Sequence, residues 1–95
     1  MFILILKYTS TLSEIDNALP AHIEYLNKYY ALGKFICSGP QNPRVGGVIV
    51  CIAKDRAEVA NIIAEDPFYA KKLADYEIIE FLPTMYADEL KPLLG

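Results

Sequence analysis

Residues 35–53 read FICSGPQNPRVGGVIVCIA, and their reading decides the fold. Phe35-Ile36-Cys37 is a short apolar strand, ended by Ser38-Gly39-Pro40. Pro40 to Gly47 holds two prolines and two glycines, the residues that punctuate a chain, and marks a turn. Val48 to Ala53 is apolar throughout and reads as the strand that follows it. Working outward, each side of this strand–turn–strand unit carries a helical pattern. Upstream, Pro20 suits a first helical position, where its missing N–H costs nothing. Ala21 to Leu32 then places His22, Tyr25, Leu26, Tyr29 and Leu32 at three- and four-residue spacing, and Gly33 is a natural stop. Ser13 to Ala18 is polar, with room for a turn of helix. Downstream, Asp55 caps a second helix with Glu58 in capping-box position, and Val59, Ile62 and Ile63 form its apolar stripe. Asp66-Pro67 redirects that helix, because the residue before proline avoids helical geometry. Phe68 to Leu73 has the length of one more helical turn.

Two further strands close the pattern, Phe2 to Tyr8 and Tyr76 to Leu82, with Pro83 to Gly95 as a leucine- and proline-bearing tail. The order is β-α-β-β-α-β. It predicts an α+β, ferredoxin-like single domain over residues 1–95, a four-stranded antiparallel sheet with two helices on one face. The chain of 95 residues is short for two domains, and no repeat or linker divides it.

Composition narrows the function classes. Nine basic against twelve acidic residues give a net charge of −3, the wrong sign for a nucleic-acid or anionic-lipid surface. The 54% apolar fraction is enough to offset ordering entropy, so the chain is expected to fold. No apolar run approaches the ~20 residues of a membrane span. The opening Met1-Phe2-Ile3-Leu4-Ile5-Leu6 lacks a basic leader and is too short for a signal peptide. Cys37 and Cys51 lie in apolar runs outside any disulfide framework and read as reduced, buried thiols of a cytoplasmic protein.

The strand patterns speak to partners. A sheet with helices on one face should alternate apolar and polar residues. Phe2 to Leu6 and Val48 to Ile52 are apolar at every position, so both faces carry apolar groups. A second copy of the chain packed sheet to sheet would cover the bare face, and a homodimer with a barrel-like core is expected. The alternative is that the tail after Pro83 folds back over the sheet.

The topology gathers chemistry at one end. Tyr8 ends the first strand, His22 begins the following helix, Ser38 to Pro40 leave the parallel-running second strand, and Asp66 follows the second helix. His22 is the sole histidine. In a first helical turn the dipole disfavours the imidazolium and leaves a ring able to accept a proton, with Asp66 placed to orient it. The plainer alternatives are a partly buried structural histidine, an ordinary Asp-Pro cap at Asp66-Pro67 and a simple strand exit at Ser38-Gly39-Pro40. Gly46-Gly47 matches neither phosphate-binding fingerprint. Tyr25, Tyr29 and Tyr30 read as helix packing. One histidine and two separate cysteines make no metal-ligand set, so no metal or cofactor is expected. Nothing basic stands near Cys37 in sequence to make it a nucleophile. A sheet reading of RNA fails for want of aromatics on the third strand.

Pro20-Ala21-His22 with Tyr25-Leu26, Gly33, Ser38-Gly39-Pro40, Gly46-Gly47 and Glu65-Asp66-Pro67-Phe68, in that order and spacing, resemble the YCII-related family over roughly Met1 to Leu82. The resemblance implies a dimeric α/β-barrel of ferredoxin-like protomers, akin to muconolactone isomerase, with a histidine and an aspartate in the active site that map onto His22 and Asp66. It also implies small-molecule chemistry such as removal of chloride from a chlorinated hydroxyquinol. Members often carry arginine before the Pro-x-His element, where this chain has Leu19. Together these readings predict an isomerase- or lyase-like enzyme acting on a small cyclic or aromatic molecule. His22 is its acid/base, Asp66 its partner, and Tyr8, Ser38, Gly39, Pro40 and Phe68 line the pocket. A homodimeric ligand-binding or accessory module without catalysis is the alternative.

Overall fold

The computed structural model describes residues Met1–Gly95. Its elements run β1 (Phe2–Tyr8), α1 (Leu12–Ala31), β2 (Phe35–Pro40), β3 (Gly46–Cys51), α2 (Arg56–Ala64), α3 (Pro67–Ala70) and β4 (Ala74–Glu80). A 3-10 turn (Asp88–Leu90) and α4 (Lys91–Leu94) follow. The four strands form one antiparallel sheet in the order β2-β3-β1-β4. This is the α+β, ferredoxin-like arrangement that the element order predicts, and the further helical turn expected after Asp66-Pro67 is the short α3.

β1 is central, and its alternate residues divide between two environments. Phe2, Leu4 and Leu6 are buried beneath the helices together with Ile49 and Cys51 of β3. α1 presents Ile15, Ala18, His22, Tyr25 and Tyr29 to them at alternating three- and four-residue steps, one stripe of a helix. α2 adds Val59, Ile62 and Ile63, and α3 adds Phe68. Tyr25 and Tyr29 pack their rings on Phe35 of β2, so they are helix packing as the spacing predicts. No helix is long and apolar enough to cross a membrane.

Four elements differ in their bounds from the sequence reading. α1 begins at Leu12, not after Pro20, because Thr11 caps it: the Thr11 hydroxyl accepts the Glu14 N–H at 3.2 Å. Ile15 and Ala18 supply enough apolar stripe to hold the extra turns, and Pro20 lies on the exposed side, where water can satisfy the carbonyl its ring leaves unpaired. β2 continues through Ser38, Gly39 and Pro40 instead of ending before them, which an edge strand permits even for proline. β3 and β4 each start and end two residues earlier than the patterns suggest. Cys51 is buried, but Cys37 is exposed, since it sits on the edge strand beyond the reach of the helices.

The predicted caps hold elsewhere. Asp55 accepts the Glu58 N–H at 2.9 Å, and the Glu58 carboxylate accepts the Lys54 N–H at 2.8 Å. Gly33 ends α1 at φ +73°, a backbone region that glycine enters without strain, with its N–H on Tyr30 O and the Lys34 N–H on Tyr29 O. At Gly46, β3 runs so close to β1 that a Cβ would lie 1.8 Å from the Leu6 carbonyl oxygen. Two backbone bonds, Tyr8 N–H to Val45 O at 3.0 Å and Gln41 N–H to Gly46 O at 2.9 Å, tie down the turn before it.

Candidate active site

His22 lies in the middle of the buried stripe of α1 rather than in its first turn, so the helix-terminus argument for its ring does not apply. What orients it is contact. Its Nδ1 sits 2.7 Å from Asp66 Oδ1, and its ring stacks on Phe68 with centroids 4.0 Å apart and planes 5° from parallel. One ring edge and one ring face are thus fixed. A proton on Nδ1, donated to the carboxylate, leaves the Nε2 lone pair free to act as a base.

Asp66 is fully buried and does two jobs at once. As the N-cap of α3 it accepts the Phe68 N–H at 2.9 Å, the ordinary role of an Asp-Pro pair. The same carboxylate takes His22 Nδ1, and its other oxygen accepts the hydroxyl of Tyr76 in a short contact. Three donors converge on a group that no water reaches, as a buried carboxylate requires. Burial first, then the charge of Asp66, push the Tyr76 phenol well above its ordinary value, so it remains an O–H donor to the carboxylate. Tyr25 is raised in the same way, by burial and then by Asp66, and its hydroxyl is the one buried side-chain polar atom without a hydrogen-bond partner.

Beside the pair lies a cavity of about 420 Å³, within the range of small-molecule sites. All but one of the predicted site residues line it: Tyr8, His22, Ser38, Gly39, Pro40 and Phe68. Asp66 does not line the cavity; it holds two residues that do, His22 and Phe68. Tyr8 meets Phe68 edge to face at 6.2 Å. Ser38 is in a strand, not an exit loop, and its hydroxyl pairs with Tyr30 Oη at 2.6 Å. Burial pushes the Cys51 thiol up to about 11, which keeps it protonated and inert.

Tyr76, Arg44 and Asp16 escaped the sequence reading. Tyr76 pairs across β1 with Leu6, an inward-facing position, but that register is visible only once β1 and β4 are aligned. Arg44 and Asp16 meet at 2.6 Å in the cavity wall from segments 28 residues apart.

The YCII-related domain of the family models matches residues 1–82. The chain belongs to the YCII-related family. Among solved structures, this YCII-related chain is similar to 5-chloro-2-hydroxyhydroquinone dehydrochlorinase from Burkholderia phenoliruptrix AC1100, in complex with 2,5-dihydroxybenzoquinone. The match has 21% identity and a TM-score of 0.72, and it covers 86% of this chain and 94% of that one. At that identity the likeness concerns the fold. No curated protein matches the chain.

Proposed function

We propose that this YCII-related protein is a small-molecule enzyme that moves a proton on a cyclic or aromatic substrate. The observation that carries the reading is the His22–Asp66 contact at 2.7 Å, almost out of water's reach, with His22 forming part of a cavity wall. His22 Nε2 takes a proton from a carbon or hydroxyl of the bound ring, and Asp66 stabilises the imidazolium as it forms. The electron pair released then moves within the substrate. Either His22 returns the proton at another position, which is an isomerisation, or a leaving group such as chloride departs with its bonding electrons and His22 passes its proton to water, which is an elimination. Neither outcome changes the oxidation state of the protein, and the chain's own residues suffice for both. Tyr8, Ser38, Gly39, Pro40 and Phe68 shape the pocket.

The same reading has two companions. The second face of the sheet, bearing Ile3, Ile5, Val48 and Val50, packs against a second copy of the chain to make a homodimer. Two unpaired cysteines, one of them exposed, suit the reducing cytoplasm.

The test offers the protein chlorinated hydroxyquinols and small unsaturated lactones and follows chloride release and deuterium uptake from solvent by NMR. Turnover of one class is expected, reduced about 10²–10⁴-fold in His22→Ala and strongly reduced in Asp66→Asn. Full turnover by His22→Ala would sink the proposal. Eight of the fifteen lining residues are hydrophobic, which also suits a module that binds without turnover. Ligand binding indifferent to Asp66→Asn, with no chemistry in any assay, would favour that second reading.

A further inference from the structure

The cavity wall carries one side chain that is a cation at every ordinary pH, Arg44, and the reaction proposed above gives it nothing to do. Its Nη2 donates to Asp16 Oδ1 at 2.6 Å, and its guanidinium carbon lies 5.9 Å from the centroid of the Tyr8 ring. From there a line of aromatic contacts runs to His22: Tyr8 meets Phe68 edge-on, and Phe68 is stacked on His22. Arg44 and His22 stand at the two ends of that line, and both lie in the wall of the one cavity. A small ligand held there meets an imidazole and a guanidinium.

The Arg44–Asp16 pair is built to be exchanged. Both side chains are over a third exposed, and solvent screening leaves an ion pair of that kind weak. Asp16 presents to Arg44 the oxygen anion that an acidic ligand would present from the other side. The planar guanidinium can turn from that carboxylate to a ligand's oxygen anion, in a charge-assisted contact that the cavity partly screens from water. We propose that Arg44 is the specificity-determining residue of this cavity, and that the site takes a small planar ring bearing an oxygen ionised at neutral pH, which displaces Asp16 from Arg44. The inference rests on the cavity being the substrate site, and it holds whether or not His22 performs chemistry.

Calorimetric titration tests it with three probes. Two are anions, 2,5-dihydroxybenzoquinone and 4-hydroxybenzoate; the third, methyl 4-hydroxybenzoate, has the same ring without the charge. Wild-type protein is expected to bind the anions more tightly than the ester. Arg44→Gln weakens the anions at least tenfold and leaves the ester unchanged, Arg44→Lys recovers part of the loss, and Asp16→Asn tightens the anions a few-fold because the internal competitor is gone. His22→Ala separates the two readings, since it removes turnover but leaves the Arg44 dependence of binding in place. Anions bound equally well by wild type and Arg44→Gln, or bound by neither at millimolar concentration, overturn the inference even where turnover depends on His22.

Discussion

The two faces of the sheet are made of the same strands and the same kinds of residue, yet they have different fates. Phe2, Leu4, Leu6, Ile49 and Cys51 point beneath the helices and are at most 2% exposed. Their immediate neighbours Ile3, Ile5, Val48 and Val50 point the other way and are only half-buried, with Ile79 more exposed still. Residue type does not separate the sets; the layer above them does. The helix-covered face is completed within the chain and positions His22 and Asp66. The other face holds an apolar surface that, in the dimer proposed here, a second copy completes.

The sharpest way to break this comparison is to truncate one residue on each face of β1. Leu4→Ala should cost about 2–5 kcal/mol in chemical denaturation, because it opens a cavity in a closed core. Ile5→Ala should cost less than half as much in dilute, monomeric protein. Equal losses would mean that the faces are not energetically distinct.

Next in size is Tyr76→Phe on the helix-covered side of β4. It keeps the ring and deletes one of the three donors to a buried carboxylate, a loss of about 1.5–3 kcal/mol for a hydrogen bond to a charged group. A melting temperature equal to wild type would show that Asp66 does not need that donor.

For the bare face, Ile5→Lys should weaken self-association at least tenfold, equivalent to about 1.4 kcal/mol, in sedimentation velocity, with the far-UV spectrum intact. Unchanged association would move the dimer contact elsewhere.

Alkaline pH probes the closed face without a mutation. Cys51, Tyr25 and Tyr76 all hold values above those of the unfolded chain, 9.0 for the thiol and 10.0 for the phenols. The unfolded state therefore loses protons first as pH rises, and stability falls. The decline should begin near pH 9 with Cys51, whose share is lost by about 11, and steepen past 10 as the phenols join. The slope is about 1.4 kcal/mol per pH unit for each protected group. Thermal melts that stay flat from pH 8 to 11 would contradict this protection.

Much of this was legible in the chain. Runs of apolar residues broken by proline and glycine are local signals, and they fix the order of strands and helices. The start of α1 was not legible, because Pro20 is a strong local signal for a helix start while Ile15 and Ala18 are a weak signal for an earlier one. Tertiary burial of those two residues decided the matter. The nearness of His22 and Asp66 was legible in outline, although Pro20 placed His22 at the start of a helix and it lies in the middle of one, where the buried stripe of α1 carries it to Asp66. Arg44 and Asp16 were not, since their meeting depends on the path of a turn rich in proline and glycine. Tyr76 depends on the register of β4 on β1, and one residue of slip would have turned it to the opposite side.

The close approach at Gly46 has a consequence for how the molecule can change. Any side chain there would collide with the Leu6 carbonyl, so one end of the β2–β3 connection is fixed, and backbone bonds at Gln41 and Val45 hold residues 41–45 without calling on the Arg44 side chain. That short connection is a cassette. Rewriting it would exchange the charge in the cavity wall for another chemistry while the sheet and helices stayed as they are, which makes it the natural place for selection, or an engineer, to retune what the pocket accepts.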